Sequence, residues 1–482
     1  MAKVLVIYTG GTIGMYHPNE DPLIPLTPFQ DASDLEDKVP KLTQIPGIDV
    51  KFERLRNEKN QEVEAVDSSD IDARYWKFMA LMVERSYEKY DGFVILHGTD
   101  TMAYTASALS FMLGNLGKPV VVTGSQLPIV DTRTDAVQNF ANALNIAGWE
   151  ASGLPCVPEV TVCFASVLLR GNRVRKMSTS AWQGFETPNY PALGDIGERI
   201  RIYPERVRVP TGNELSVWTK LDGRVLDFGL FPGLTPVALR SVLELEPVQG
   251  MVLRTFGAGN APTDEEFLDV IGKAVEKDRK VIVNVTQCPA GQVEAGLYEA
   301  SSGLLERGVL SGLDMTPEAA LTKLMWLLGQ EPDREEVRTQ MQIDARGEQS
   351  ESLFDIEYRA KEPLGGDSDG VATLSARPPG LFRKAELQRA VLRIRDLSVD
   401  EARDGTPVRA FINFQQATGE TRGDPHEAAM FKSGSGTQVS DATSVVRRFV
   451  EEGRAINITL VPDAGGVVGF RSMFLALFTR HQ

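Results

Sequence analysis

Short apolar runs recur along the first two hundred residues, and each is followed by a glycine-containing turn and then by a segment with helical spacing. The four clearest runs are Val4–Tyr8, Phe93–Leu96, Val120–Thr123 and Val160–Phe164. Such runs are typical of buried strands, and their alternation with helices predicts a parallel sheet flanked by helices. The apolar spacing of Thr101–Leu113 and Asp135–Ala147 predicts two of these helices.

The pattern weakens over residues 199–227, a charged stretch with proline and glycine that we interpret as a linker containing a hairpin. The alternation of strands and helices then resumes with Met251–Thr255, Asp264–Lys277, Val281–Thr286 and Pro317–Leu328. Thr316 is the expected N-cap of the last helix, with proline at its first position. We therefore predict an N-terminal α/β domain, residues 1–198, and a second α/β domain, residues 228–347.

Beyond residue 347 the pattern changes from helical spacing to alternation. The stretch "KEPLGGDSDGVATLSARPPG" has the composition of a loop, and three later segments alternate between apolar and polar residues: Val408–Phe414, Ile456–Val461 and Ser472–Phe478. This pattern predicts a separate all-β, sandwich-like domain over residues 348–482. The predicted fold class is thus a two-domain α/β core with parallel sheets, followed by an all-β domain.

Composition narrows the class of protein. The 482 residues are 42% hydrophobic and 24% charged, with a formal net charge of −15, which fits a soluble protein and argues against nucleic-acid or anionic-membrane partners. No apolar run reaches the ~18–20 residues of a membrane helix, and the N-terminus lacks the features of a signal peptide. Cys156, Cys163 and Cys288 lack zinc-type spacing and fit reduced thiols. We expect a cytoplasmic protein without a metal site.

The glycine-rich turn after the first predicted strand, Thr9-Gly10-Gly11-Thr12-Ile13-Gly14, is the first candidate site. It does not match a dinucleotide or phosphate loop, because position 9 is threonine and no Gly-Lys-Ser/Thr follows. It presents the Thr12 hydroxyl among backbone N–H groups, which are suitable donors to a developing oxyanion. Considered alone, the segment is explained at least as well by a structural turn.

A second candidate is the cluster His97-Gly98-Thr99-Asp100-Thr101, which follows the strand predicted at Phe93–Leu96. A threonine hydroxyl is a weak nucleophile that needs a base or a charged partner, and Asp100 is suited to orient such a partner or to bind a substrate ammonium. Considered alone, the cluster is better explained if Thr99 or Asp100 caps the next helix. With four histidines and no Gly-x-Ser-x-Gly motif, a Ser-His-Asp hydrolase is poorly supported, and we interpret His97 as structural.

Two further segments contain candidate groups. Lys176 lies in a basic, polar stretch, and a partly desolvated lysine beside other cations is suited to act as a base. The alternative is an ordinary surface lysine. The segment "AVDSSD", residues 65–70, is typical of a helix N-terminus, and its hydroxyls and carboxylates also suit a small polar ligand.

Together these motifs resemble those of one family. The segments "YTGGTIGM", "VDSSD", "DGFVILHGTDTMAYTASALSFML", "KPVVVTGSQLP", "RGNRVRK", "FGAGNAP" and "VTQCPAGQVEAGLY" occur in the order found in bacterial type I L-asparaginases, the cytoplasmic class. The similarity extends from residue 1 to about residue 347. Two separate threonine motifs in this order are highly specific, so the structural alternatives above lose most of their weight.

The resemblance implies a role for each matched residue of the two threonine motifs. Thr12 matches the primary nucleophile, which attacks the side-chain amide carbon of asparagine and forms a β-aspartyl ester while ammonia leaves. Thr99, Asp100 and Lys176 match a second set, in which Lys176 supports proton movement at Thr99 and Asp100 helps to hold the substrate α-amino group. The family requires no metal or organic cofactor.

The resemblance also implies how the substrate is held. Asp67, Ser68 and Ser69 match the segment that binds the α-amino and α-carboxylate groups, and Gly98 joins them as a predicted substrate-binding residue. The expected reaction is hydrolysis of L-asparagine to L-aspartate and ammonia, with minor glutaminase activity as a secondary expectation. The family also implies a homodimer or homotetramer.

One position departs from the family pattern. Type I enzymes usually place a tyrosine about ten residues after the first catalytic threonine, in a mobile lid, where its phenol assists the nucleophile. Here the matching segment is "DPLIPL", with Leu23 at that place and Tyr16 nearby in sequence. Without a replacement phenol, turnover is expected to fall by the ~10²–10⁴ typical of general base assistance. This departure leaves open an alternative function, an asparagine-binding sensor or regulatory protein with impaired catalysis.

Regulation and the C-terminal domain are less defined by sequence. Some type I enzymes bind asparagine at an allosteric site between subunits, and Arg254, Thr286 and Cys288 match residues used there, so allosteric control is a hypothesis. An asparaginase-like subunit of an archaeal-type tRNA amidotransferase is disfavoured, because that subunit has an extra N-terminal domain and because the acidic charge does not favour tRNA. The domain after residue 347 lies outside the resemblance, and no motif indicates its role.

Overall fold

In the computed structural model, the chain folds into two compact units. The first contains Met1–Val293, Arg307–Met341 and Ala345–Gln349, and the second contains Glu294–Glu306, Gln342–Asp344 and Ser350–Gln482. The residues that the structure describes are 1–18, 26–30, 34–35, 37–38, 44–210, 212, 214–294, 299–331, 333–358, 372–376, 385–400, 402–413, 426–452, 454–463 and 466–481.

The N-terminal part of the first unit is built on an eight-stranded sheet. The strands of this part of the chain are, in order, β1 (Ala2–Tyr8), β2 (Met15–Tyr16), β3 (Thr27–Pro28), β4 (Ile48–Arg54), β5 (Gly92–Leu96), β6 (Leu113–Gly114), β7 (Val120–Thr123), β8 (Val160–Phe164), β9 (Val167–Arg170), β10 (Arg175–Lys176), β11 (Phe185–Glu186), β12 (Gly194–Ile196) and β13 (Ile200–Ile202). Strands β2, β3, β6, β10 and β11 pair outside the eight-stranded sheet. The sheet order is β13-β12-β9-β8-β7-β5-β1-β4. Strands β4, β1, β5, β7 and β8 are parallel, and β9, β12 and β13 add antiparallel pairs. The predicted parallel sheet is confirmed, with an antiparallel extension.

Helices cover both faces of this sheet, which explains why its central strands are apolar throughout. The helices are α1 (Ala73–Ser86), α2 (Met102–Met112) and α3 (Ala136–Ala147). Successive side chains of a strand point to opposite faces. Accordingly, Val4 and Val6 of β1 belong to the core that contains Phe140 of α3, whereas Leu5 and Ile7 belong to the core that contains α1 and α2. Helices α2 and α3 confirm the two helix predictions to within one residue at each end.

The second part of this unit has its own parallel sheet. The elements are β14 (Ser216–Val217), β15 (Val225–Gly229), α4 (Pro236–Leu243), β16 (Gly250–Thr255), α5 (Glu265–Glu276), β17 (Val281–Thr286), β18 (Leu310–Ser311), α7 (Pro317–Gln330) and α8 (Arg334–Met341). Between β17 and β18 the chain forms α6 (Glu299–Glu306), which belongs to the second unit. Strands β15, β16, β17 and β18 pair in parallel in that order. The predicted N-cap is present, since the Thr316 hydroxyl accepts a hydrogen bond from Ala319 N at 3.1 Å.

The segment 199–227, predicted to be a linker containing a hairpin, includes short strands. At its start, β13 pairs with β12 as an antiparallel hairpin on the edge of the first sheet. Farther along, β14 pairs with β6, and Val225 already begins β15 of the second sheet. Strands of two or three residues are too short to show an alternating pattern, so the sequence did not indicate where these strands begin and end.

The second unit consists mainly of two antiparallel sheets. Its elements are β19 (Ser352–Tyr358), β20 (Ala372–Ala376), β21 (Ala385–Val399), β22 (Pro407–Ile412), β23 (Glu427–Lys432), β24 (Gly434–Asp441), α9 (Thr443–Glu451), β25 (Ile456–Pro462), β26 (Val468–Gly469) and β27 (Ser472–His481). One sheet has the order β19-β27-β21-β24, with β26 also paired to β21, and the other has the order β20-β25-β22-β23. Leu392 and Leu475 of the first sheet share one apolar core with Ala410 and Ile458 of the second.

This unit is β-rich, as predicted, but it is not all-β. Helix α9 places Val446, Phe449 and Val450 in the common core, at the i, i+3, i+4 spacing of an apolar helix face. Helix α6 also belongs to this unit, where the Glu306 carboxylate binds Arg395 at 2.9 Å and the Thr437 hydroxyl. Across the described ranges of both units, no helix has the length and hydropathy needed to span a membrane.

Candidate active site

Three loops meet at the carboxyl edge of the first sheet. Strands β1 and β5 are adjacent and parallel, so the loops that follow them, residues 9–14 and 97–101, leave the same edge side by side. Ligands of open α/β sheets bind at this edge. A third loop, residues 65–70, is attached to the first because Gly11 N donates to Val66 O at 3.0 Å.

Two glycines allow the threonine-bearing loops to touch. Gly11 has φ of +79°, and a Cβ atom there would lie 2.2 Å from Gly98 N. A Cβ atom on Gly98 would in turn lie 2.7 Å from Ser68 Oγ and 3.1 Å from Gly11 Cα. Because no side chain fits between the loops, Thr12 and Thr99, each next to one of these glycines, come to the same site.

Thr12 begins a short 3₁₀ helix, Thr12–Gly14, which Tyr8 supports from within the core. The Tyr8 phenol donates to Gly14 O at 3.2 Å, and its burial raises the pKa of this phenol well above its usual range, so it keeps its proton. A Cβ atom on Gly14 would lie 2.3 Å from the phenol oxygen, so this support requires glycine. The Thr12 side chain is half-buried, and its hydroxyl forms no hydrogen bond within the part of the chain that the structure describes.

The second threonine is bound to the predicted lysine. Lys176 Nζ donates to Thr99 Oγ1 at 2.8 Å and to Asp100 Oδ1 at 2.6 Å. The Lys176 side chain is 18% exposed and that of Asp100 is 65% exposed, so the carboxylate faces solvent while the amine lies deeper. The structure therefore brings this predicted trio together. Neither Thr99 nor Asp100 caps α2, whose N-cap is Thr101 without a side-chain cap bond.

The loop of residues 65–70 presents Asp67 and Ser69 to the site but uses Ser68 internally. Asp67 Oδ1 accepts from Ser69 N at 2.9 Å and from Ser69 Oγ at 2.6 Å, which caps the 3₁₀ helix Ser68–Asp70. Ser68 is buried; its Oγ accepts from Asp100 N at 3.3 Å and its carbonyl accepts from Thr101 Oγ1 at 2.7 Å. In this structure Ser68 joins two loops, whereas Asp67 is half-buried and Ser69 is exposed, with their side chains bonded to each other.

His97 is fully buried beneath the second loop. Its Nδ1 lies 2.7 Å from Gly98 O, and its Nε2 lies 2.8 Å from Thr105 Oγ1. Thr105 Oγ1 in turn accepts a hydrogen bond from Trp76 Nε1 at 2.9 Å. Burial lowers the pKa of His97 to about 4, so the ring is neutral. A neutral ring donates to the Gly98 carbonyl and accepts from Thr105, which supports the interpretation of His97 as structural.

The lid region is only partly described. Leu23, the residue at the place of the family's tyrosine, lies outside the described residues. Tyr16 is on β2, paired with β3, and its ring stacks on Phe29 with centroids 4.6 Å apart. Among the described residues, no hydrogen bond joins Tyr16 to Thr12. The reduced turnover expected from the missing phenol stays a prediction.

The three candidate effector residues lie at the carboxyl edge of the second sheet. Arg254 is near the end of β16 and Thr286 ends the adjacent β17, with Cys288 exposed just beyond it. Thr286 Oγ1 donates to a backbone carbonyl and accepts from Cys288 N at 3.0 Å. Arg254 Nε lies 2.7 Å from Asp227 Oδ1, although the N–H is not aligned for a hydrogen bond. The predicted trio is close together, but its guanidinium already has a carboxylate partner.

The sequence did not indicate the role of Tyr8 beneath Thr12 or that of Ser68 between the loops. A polar phenol at the last position of a buried strand, directly before a glycine-rich loop, was the available signal for Tyr8. Ser68 had no such signal, because its partners lie 32 and 33 residues away. Among the described residues, no group of three or more His, Cys, Asp or Glu side chains is arranged to hold a metal ion.

Comparison with known proteins gives matches over the first unit. A family model described as "Asparaginase, N-terminal" matches residues 3–208, and one described as "Glutaminase/Asparaginase C-terminal domain" matches residues 224–341. L-asparaginase 1 of Escherichia coli K12 is 39% identical over 350 residues, which cover 72% of this chain and 97% of that protein. The crystal structure of L-asparaginase I from Vibrio cholerae has a TM-score of 0.63 at 40% identity and covers 72% of this chain and 99% of its own.

Other relatives carry different names. The 60 kDa lysophospholipase of Mus musculus is 37% identical over 340 residues, covering 68% of this chain and 59% of that protein. A component of the glutamyl-tRNA(Gln) amidotransferase of Pyrococcus abyssi is 33% identical over 356 residues, covering 72% of this chain and 77% of that protein. The shared part is the two-sheet core with its threonine loops, and the chain belongs to the asparaginase family.

Proposed function

We propose that the protein is an L-asparaginase, which hydrolyses L-asparagine to L-aspartate and ammonia through an ester on Thr12. The observation that carries this proposal is the Lys176 ammonium, which lies 2.8 Å from the Thr99 hydroxyl and 2.6 Å from Asp100. Thr99 and Asp100 lie in the loop that touches the Thr12 turn at Gly11 and Gly98. Both threonines are thereby available to one small substrate.

The substrate zwitterion needs an anion for its ammonium group and donors for its carboxylate. Asp100, which faces solvent, and the second oxygen of Asp67 supply negative charge. The loop N–H groups supply donors, and the exposed Ser69 hydroxyl joins them when it exchanges its hydrogen bond to Asp67 for one to the substrate carboxylate. Fixing both backbone groups leaves the side-chain amide over the threonines, which removes much of the entropy cost of the attack.

The reaction then proceeds in two steps. Thr12 Oγ bonds to the amide carbon while its proton goes to the departing nitrogen, the C–N bond breaks, and ammonia leaves. Water then attacks the ester carbon, which returns a proton to Thr12 and releases aspartate. N–H groups of the glycine-rich turn stabilise the oxyanion in each step. The substrate ammonium shares Asp100 with Lys176, which weakens their ion pair and frees the Lys176 amine to move a proton at Thr99.

Steady-state release of ammonia and aspartate from asparagine tests the proposal. We expect equal amounts of both products, with glutamine hydrolysed more slowly. The variants T12A and T99A should each nearly abolish release, while T263A, at an exposed threonine before α5, should leave it unchanged. Binding of asparagine in a calorimetric titration without ammonia release would instead establish the sensor function.

A parallel assay with a lysophospholipid as substrate separates this activity from the one that names the lysophospholipase relative. Hydrolysis of a lysophospholipid without hydrolysis of asparagine would overturn the proposal in favour of a lipase. Loss of ammonia release in T12A together with unchanged release in T99A would contradict the role given to the second threonine. We also propose a cytoplasmic homodimer or homotetramer that acts on a small-molecule substrate, and light scattering after size-exclusion chromatography measures that assembly.

A further inference from the structure

The strand that carries Lys176 has only two residues, and both side chains are engaged. Successive side chains of a strand point to opposite faces, so Lys176 faces Thr99 and Asp100 while Arg175 faces away from them. Arg175 Nε lies 3.5 Å from Glu318 Oε2 in the first turn of α7. The strand β10 is thus held by ion pairs on both faces, one in the candidate active site and one outside it.

Glu318 is an unusual partner because it is nearly buried. Its side chain is 11% exposed, and Oε2 forms no hydrogen bond despite its burial. Burial raises the pKa of Glu318, an effect that Arg175 opposes and that the like charge of Asp227 reinforces. A buried carboxylate in this state contributes little to stability, since the cost of its desolvation offsets its attraction to the arginine. Its clearest consequence is the position that it imposes on Arg175.

Further charged groups surround this ion pair. Asp227 on β15 and Arg254 on β16 form a second ion pair at 2.7 Å. Tyr104 on α2 lies close enough to both ion pairs for their four charges to affect the pKa of its phenol. Helix α7, which carries Glu318, packs against β15, β16 and β17 of the second sheet. The contact between Arg175 and Glu318 therefore joins the lysine-bearing strand to the second sheet of the same unit.

We propose that Arg175 and Glu318 form a positioning pair for Lys176, which holds β10 from the face opposite Thr99 and so sets the distance between the lysine amine and the Thr99 hydroxyl. Neither residue touches the substrate. The pair acts through two backbone residues, and a shift of β10 toward or away from α7 moves Lys176 by a similar amount. The inference rests on the proposed role of Lys176 at Thr99.

Kinetics of E318Q, R175M and the double variant test this pair, and together with the parent protein they complete a double-mutant cycle. Glutamine keeps the shape of the glutamate and removes its charge. Because a displacement of about 1 Å in an active site costs on the order of 100-fold in rate, we expect each single variant to lose about that factor in kcat. KM should stay within about twofold, since Asp67 and Ser69 are unaffected.

Non-additivity distinguishes positioning through Arg175 from independent structural damage. If Glu318 acts only through Arg175, the double variant should be no slower than the slower single variant. The variant R175K, which keeps the charge, should recover part of the activity lost in R175M. The control is E186Q, because Glu186 is an exposed carboxylate opposite Arg175 in the β10 and β11 pair; its kcat should equal that of the parent protein.

A crystal structure of E318Q gives a readout that does not depend on activity. We expect Lys176 Nζ to move away from Thr99 Oγ1, beyond hydrogen-bond distance. If the parent protein releases no ammonia from asparagine, the proposed function fails while this displacement still tests the positioning pair. The inference would be overturned if E318Q kept both the parental distance and the parental kcat. It would also be overturned if the losses in kcat of the two single variants multiplied in the double variant. Should E318Q not fold, R175M and R175K provide the same comparison from the other side of the pair.

Discussion

Replacement of Gly11 by alanine should separate the two threonine loops and nearly eliminate turnover. The added Cβ atom would lie 2.2 Å from Gly98 N and 2.3 Å from Gly98 Cα, both backbone atoms that cannot rotate away, whereas ordinary contact begins at 3.4 Å. The loops must therefore move apart by about 1.2 Å, a displacement of the size that costs on the order of 100-fold in rate. In addition, φ of +79° with ψ of 174° is a region almost restricted to glycine, with strain of about 1–3 kcal/mol for alanine.

The assay is kcat/KM for ammonia release from asparagine, with circular dichroism to show that the variant is folded. We expect G11A to lose at least about 100-fold. The matched control is G197A, because a Cβ atom on Gly197 meets nothing within 4 Å; its activity and stability should equal those of the parent. G98A should lose less than G11A, since its added Cβ atom would meet the Ser68 side chain at 2.7 and 2.8 Å rather than backbone at 2.2 Å, and its φ is not positive. A folded G11A with parental kcat/KM would refute the argument that the two loops must touch at these glycines.

Four further results are expected. K176M should lower kcat by about 10²–10⁴, and a loss below tenfold would show that proton movement at the second threonine does not need this amine. K323M should destabilise the first unit by about 3–5 kcal/mol, because it leaves buried Glu348, 2.6 Å from Lys323, without its cation. All five tryptophans lie in this unit, so tryptophan fluorescence during urea unfolding measures the loss. The double variant K323M/E348Q should recover part of the lost stability. Burial alone would raise the pKa of Glu348, but Lys323 and two backbone N–H groups hold this pKa at about 2. The stability that the carboxylate contributes should therefore be lost as the pH falls from the usual glutamate pKa toward 2. If asparagine also acts as an effector, the parent should show sigmoidal kinetics that become hyperbolic in R254A, and hyperbolic kinetics in the parent would exclude that regulation.

Much of the two-sheet core was predictable because its signals are local. Continuous apolar runs such as Val120–Thr123 indicate strands that are buried on both faces, and the cap at Thr316 involves residues only three apart. The short strands β10 and β12 and the helix α9 were missed. Two or three residues give no periodicity, and α9 lies in a region where the surrounding segments alternate, so its three core positions were not recognised as one helix face.

Local sequence placed the two threonine motifs on loops after strands, but it did not show which candidate groups meet. Lys176 lies 77 residues from Thr99 and 76 from Asp100, and it reaches them from β10, which belongs to a separate two-stranded sheet that only the tertiary fold places beside the second loop. The same long-range packing gave Ser68 a buried place between loops, put Asp227 against Arg254, and put Glu318 behind the lysine-bearing strand. Motifs identify the chemical groups that a chain carries, since those depend on residue type and neighbours in sequence. Distances, burial and ion pairs depend on contacts between distant segments, and these exist only in the folded chain.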